Sequence, residues 1–277
     1  MHRAVHLLFF LLLLQSEVKS QIFDYFHPNF SADGPAFRAD FISQNKIRKV
    51  KVSYQKKRDG RPMESIADKD EIHFDREGNE YERFQTRQNR VKTDSIRWVK
   101  MFSSNRLIRE TKFDALGEYQ SEWLYDKEGN IETRTFTRNG IIISRETASW
   151  SGTQCLWKNN DQKAYLREEF EYDQYQRLTR KKEILLISEK FRESNYVYDE
   201  IGRIAQIIEK SIEGKITSYS YNYSRPGELL SVNIKSGDSK EEDLEILYEK
   251  GLPTAFIQRD VQTNTMRIGK FEFEFYP

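Results

Sequence analysis

The sequence predicts an all-β protein, an antiparallel meander of short hairpins forming a curled or layered sheet. Three observations carry that expectation. Apolar and aromatic residues alternate with polar ones along many short stretches, which gives a strand one buried and one wet face. Glycine turn signals follow one another, several at spacings of 11 to 13 residues. One aromatic-flanked turn pattern is also repeated along the chain, as in proteins built from repeated units.

The chain has 277 residues and opens with Met1-His2-Arg3, an apolar run from Ala4 to Leu14 broken only by His6, and a polar stretch to Ser20. That run is too short for a bilayer core, which needs about 20 residues, and residues 1–20 read as a secretory signal peptide. Residues 21–46 hold His27-Pro28 and Gly34-Pro35 without a strict period, and are expected to form an irregular N-terminal cap. Asn29-Phe30-Ser31 and Asn222-Tyr223-Ser224 fit the glycosylation acceptor pattern, which matters only in a eukaryotic source.

From residue 47 to 277 strand-like alternation dominates. Val50, Val52 and Tyr54 alternate with polar neighbours, as do Tyr219, Tyr221 and Tyr223, then Leu230, Val232 and Ile234, and finally Phe271, Phe273 and Phe275. Ser239 to Glu249 is the best helix candidate, but Leu244, Ile246 and Tyr248 alternate there too, and a strand is favoured. A meander of more than a dozen strands cannot stay flat with one apolar face in water. It must curl, split into layers or close.

The turn pattern is fullest at Tyr196-Val197-Tyr198-Asp199-Glu200-Ile201-Gly202-Arg203-Ile204. Both tyrosines fall on one face of a strand. Asp199 can accept a backbone hydrogen bond in the turn, and Gly202 stands where a left-handed residue is needed. Partial copies place Asp75 with Gly78, Asp114 with Gly117 and Asp126 with Gly129, while Asp173 heads a copy without glycine. These residues resemble the YD-repeat (RHS-repeat) family, whose pattern is an aromatic, any residue, Tyr-Asp, two residues, Gly-Arg and an aliphatic. The resemblance is complete at 196–204 and partial elsewhere. It implies a long, wound β-sheet, in some members a shell around a toxin domain; only the local strand architecture is expected to carry over.

Lys and Arg number 45 against 44 Asp and Glu, and 43 of each remain once Arg3, Lys19 and Glu17 leave with the signal peptide. Balanced charge gives little long-range attraction for nucleic acid, and no nucleic-acid partner is expected. Cys155 has no partner for an internal disulfide. Beyond the signal peptide the nitrogen and sulfur ligands are His27, His73 and Cys155, scattered without paired spacing, so neither metal nor cofactor is expected. A Cys155–His73 nucleophile pair is outweighed by a buried thiol and a surface histidine. No nucleophile elbow, phosphate loop or dinucleotide fingerprint occurs.

Trp98, Trp123, Trp150 and Trp157 could line a ligand surface, although strand aromatics more often form core. Three classes of function follow. The first is an exported, non-catalytic binding or scaffold protein, periplasmic, on the cell surface or extracellular, with a carbohydrate or a cell-surface protein as partner. The second is an outer-membrane β-barrel. The third is a hydrolase with an unrecognised carboxylate pair. Charged residues at 32% and the stretches at 81–87 and 131–136, which offer no clean lipid face, lead to the expectation of no stable membrane insertion.

Overall fold

The computed structural model describes residues 35–88, 93–224, 228–237 and 240–277. The expected signal peptide and the first part of the expected cap lie outside the described residues. Eighteen strands follow a six-residue helix, α1 (Ala39–Gln44). Nine run from one mouth, here the near mouth, to the far mouth: β1 (Ile47–Lys57), β3 (Glu80–Gln88), β5 (Arg106–Asp114), β7 (Ile131–Arg138), β9 (Gln154–Lys158), β11 (Leu178–Leu185), β13 (Ile204–Lys210), β15 (Leu229–Ser236) and β17 (Leu252–Asp260). The other nine return: β2 (Glu64–Phe74), β4 (Thr93–Ser103), β6 (Gly117–Tyr125), β8 (Ile141–Ser151), β10 (Ala164–Tyr172), β12 (Phe191–Tyr198), β14 (Ile216–Tyr223), β16 (Lys240–Glu249) and β18 (Thr265–Phe275).

Every strand pairs antiparallel with its sequence neighbours, and β1 also pairs with β18. The curl therefore completes itself into a closed barrel with no free edge. At the seam Val50 stands between Ile72 and Phe273, and Val52 between Asp70 and Phe271. The alternation of the two terminal strands is in phase, so both present their apolar rows to the same side.

That side is the inside. From β13 round to β2 the inward positions carry Ile207, Tyr221, Val232, Leu244, Ile246, Phe256, Phe271, Val50, Val52, Tyr54, Ile72 and Phe74, all buried in one cluster. Among the described residues no layer other than α1 covers the sheet, and the burial there comes from the concave face closing on itself. The opposite face of the seam is charged: Lys49 pairs with Glu71 at 2.5 Å and Lys51 with Glu274 at 2.7 Å. Further round the outside, Arg180 pairs with Glu193 at 2.8 Å.

The second half of the expected cap is more ordered than its irregular composition suggested. Phe37 sets its ring edge-on to Phe74 and Phe271, at 6.1 and 5.9 Å between centroids. α1 buries Phe41 and Ile42, and burying an isoleucine fully is worth about 1.5–3 kcal/mol. The helix stops at Asn45, whose side-chain amide donates to the Phe41 carbonyl at 2.9 Å, before Lys46 turns left-handed at φ 53°. The segment also satisfies a buried charge: Arg83 donates to the Pro35 carbonyl at 2.9 Å.

Candidate functional site

The turn residues anticipated from sequence fall into two groups. Asp75–Gly78, Asp126–Gly129, Asp173–Gln176 and Asp199–Gly202 all connect an even strand to an odd one and so line the near mouth. In each the Asp N–H donates to the carbonyl four residues on, and the fourth residue's N–H returns to the Asp carbonyl, as at Gly202 with 3.0 Å. The carboxylate closes the same loop, Asp199 Oδ1 accepting from Arg203 N at 2.8 Å. Gly129 and Gly202 have φ of 94° and 90°, while Gln176 takes the glycine's place at 61°. Asp114 and Gly117 differ: they pair directly across a two-residue loop at the far mouth.

The near-mouth turns are clasped to one another by side chains. Arg203 binds Asp199 of its own turn at 2.7 Å, and its guanidinium lies 4.3 Å from the Tyr223 ring centroid. Arg177 repeats this with Asp173 at 2.7 Å and Tyr198 at 4.5 Å. Each tyrosine hydroxyl donates to the carbonyl just after the arginine position: Tyr198 to Leu178 at 2.8 Å, Tyr223 to Ile204 at 2.6 Å. Tyr125 and Tyr248 bond Leu107 and Leu229 in the same way, and Trp150 substitutes its indole N–H to Ile131 at 2.9 Å. Burial works to raise the Asp199 carboxyl, but the Arg203 side chain and the turn N–H groups outweigh it and hold it below its ordinary range. Asp173 is lowered in the same way by Arg177.

The inner wall carries the remaining chemistry. Asp70, 2% exposed, accepts from the Tyr54 hydroxyl and pairs with Arg87 at 2.5 Å. Arg87 and Arg267 lie 5.4 and 4.1 Å from the Tyr54 ring centroid. Toward the near mouth, Glu80 joins Arg83 at 2.6 Å and Lys100 at 2.8 Å. On the facing arc Arg134 sits 4.6 Å from the Trp157 ring and pairs with Glu146, while Trp157 donates to Glu168 at 2.6 Å. Nothing in the sequence singled out Tyr54, Asp70 and Arg87 as a cluster, since Asp70 sits in an unremarkable charged run.

The four tryptophans, weighed as a ligand surface and more readily read as core, all belong to inward rows. Trp157 is 3% exposed, Trp150 stacks on Phe170 at 5.8 Å, and Trp98 and Trp123 stand opposite Arg83 and Arg134 on neighbouring strands. His73 faces outward, 2.9 Å from Glu71, whereas Cys155 is buried on the inner face, so the sheet separates the two. His27 lies outside the described residues. A cavity of about 420 Å³ opens among Lys56, Asp68, Gln258, Asp260 and Arg267 on the inner wall toward the far mouth. Its mixed charges suit a polar solute better than an ion of one sign.

No protein-family model and no curated protein matches the chain. Among solved structures it is similar to a porin-like protein from Bacteroides uniformis, with 12% identity, a TM-score of 0.44, and coverage of 83% of this chain and 97% of that one. A TcdB2-TccC3-Cdc42 structure aligns over 74% of this chain and 12% of that one, with 15% identity and a TM-score of 0.38. A porin-like protein from Bacteroides vulgatus aligns over 81% and 98%, with 9% identity and a TM-score of 0.28.

The expectation of no stable membrane insertion is corrected. It rested on the charge fraction and on two stretches without a clean lipid face. The strands nevertheless close into an edge-free barrel, the β architecture that is able to cross a bilayer.

Proposed function

We propose that the protein is a β-barrel of the cell envelope, of the outer-membrane type. The observation that supports this reading is closure: β1 pairs with β18 over ten residue pairs, from Ile47↔Phe275 to Lys57↔Met266, leaving a continuous wall around a partly polar interior. The apolar run at Ala4–Leu14, read as an export signal, fits the same destination. On the outer face of β4 to β8, Met101, Phe113, Leu124 and Ile142 are all exposed, which supports this sector as the one turned toward lipid.

A second reading, an exported binding or scaffold barrel, is favoured by the ion pairs across the outside of β1, β2 and β18. A carbohydrate or a cell-surface protein is its partner. The repeated turn clasp further supports kinship with YD-repeat proteins in either case. Cell fractionation separates the readings. Recovery in the outer-membrane fraction, extraction only by detergent and a heat-modifiable gel shift support the first; release in soluble form by osmotic shock supports the second and overturns the first.

A further inference from the structure

The inner wall at the far mouth sorts its charges by strand. In register, Lys56 of β1 stands opposite Arg267 of β18, and Arg267 opposite Gln258 of β17. One step nearer the mouth, Thr265 stands opposite Asp260, and Asp260 opposite Glu242 of β16. These residues line the cavity of about 420 Å³. Arg267 is neutralised by Asp68 at 3.2 Å. Lys56 is half-buried, and among the described residues neither it nor Arg58, exposed just beyond the end of β1, has an ion-pair partner. The uncompensated positive charge is therefore on β1.

Two strands away the sign is reversed. Asp260 and Glu242 set carboxylate opposite carboxylate, an arrangement that a cation between them stabilises. Glu242 also accepts from the Gln258 amide at 2.8 Å, which holds it on the cavity wall. Neighbouring strands lie about 4.8 Å apart, so β1 is about 10 Å from β17 and about 14 Å from β16. The cavity thus has a cationic end and an anionic end at a set distance.

That separation selects among polar solutes. An inorganic anion uses the β1 end alone. A free amino acid carries its ammonium on the carbon next to its carboxylate, too close for the two charges to meet both ends. A sugar finds no aromatic ring to stack on among the described lining residues. A peptide of three residues, extended at about 3.3–3.6 Å per residue, spans about 10 Å between its termini. We propose that the cavity binds a short peptide with free ends, about three residues long, its carboxylate on Lys56 and Arg58 and its ammonium between Asp260 and Glu242. The cavity has the volume of a small-ligand site. It lies on the inner wall, so the proposal does not depend on whether the outer face meets lipid.

Isothermal titration of the purified protein with trialanine tests this. Binding is expected to saturate at one peptide per chain, and to be at least tenfold weaker for N-acetyl-trialanine, for trialanine amide and for free alanine. Lys56→Gln combined with Arg58→Gln, at side chains without ion-pair partners, is expected to weaken trialanine at least tenfold and to leave trialanine amide unchanged, because the amide has no carboxylate for them to hold. Absence of binding, equal binding of capped and free peptides by the parent protein, or equal weakening of trialanine and its amide in the variant overturns the proposal. So does maltotriose binding more tightly than trialanine. The capped peptides are read on the parent protein, so they decide the matter even where the variant does not fold.

Discussion

Arg203 and Tyr223 join two successive turns of the near mouth: the guanidinium lies 4.3 Å from the ring centroid, and the tyrosine hydroxyl reaches the carbonyl of the residue following the arginine at 2.6 Å. Because Arg203 also holds Asp199, one side chain fixes its own turn and provides a platform for the next. A double-mutant cycle reads the link. Tyr223→Phe is expected to cost about 1 kcal/mol for the lost hydrogen bond. Arg203→Met is expected to cost about 1–2 kcal/mol, with a coupling between the two of about 0.5–2 kcal/mol in chemical denaturation. Additive losses would show that the contact has no energetic content.

Gly78 and Gly140 separate two effects of a left-handed glycine. Both have positive φ, 88° and 77°, but a Cβ at Gly78 would lie 1.9 Å from the Ala39 carbonyl oxygen, whereas at Gly140 it meets nothing. Gly140→Ala should cost only the backbone term of about 1–2 kcal/mol. Gly78→Ala must in addition push α1 off the barrel, and its melting temperature should fall well below that of Gly140→Ala. Equal melting temperatures would mean that α1 does not pack against the turn.

The turn carboxylates predict an acid limb. Asp173 and Asp199 titrate below the unfolded value, so the stability they contribute is complete above about pH 4 and is lost as pH falls through their folded values. The urea midpoint should therefore drop below about pH 4. In Asp199→Asn the midpoint is expected to be lower at neutral pH and to decline less steeply in acid. An unchanged slope in that variant would remove Asp199 from the account.

Asp70 neutralises charge inside the wall. Asp70→Ala removes the acceptor of both Tyr54 and Arg87 and leaves a cation uncompensated, a change expected to cost about 3–5 kcal/mol. Tyr54→Phe leaves the Asp70–Arg87 pair in place and should cost about 1 kcal/mol. A denaturation series with the two variants checks the order.

The local fold was legible because it is written locally. Asp126, Gly129, Asp199 and Gly202 each specify a turn within five residues, and the alternation of Leu244, Ile246 and Tyr248 correctly favoured a strand over a helix at Lys240–Glu249. Closure was not, because it depends on Val52 meeting Phe271, and nothing in either stretch names the other. Asp114 and Gly117 resembled the other turns by spacing, yet a two-residue loop places them at the opposite mouth.

The seam between β1 and β18 has a temporal consequence. A ribosome releases β1 first and β18 last, so for most of synthesis the strand that begins at Ile47 has only β2 beside it and offers its other edge to any passing strand. The chain cannot become a barrel until the residues of β18 have emerged. An export route that holds it unfolded until then would spare the nascent protein that exposure.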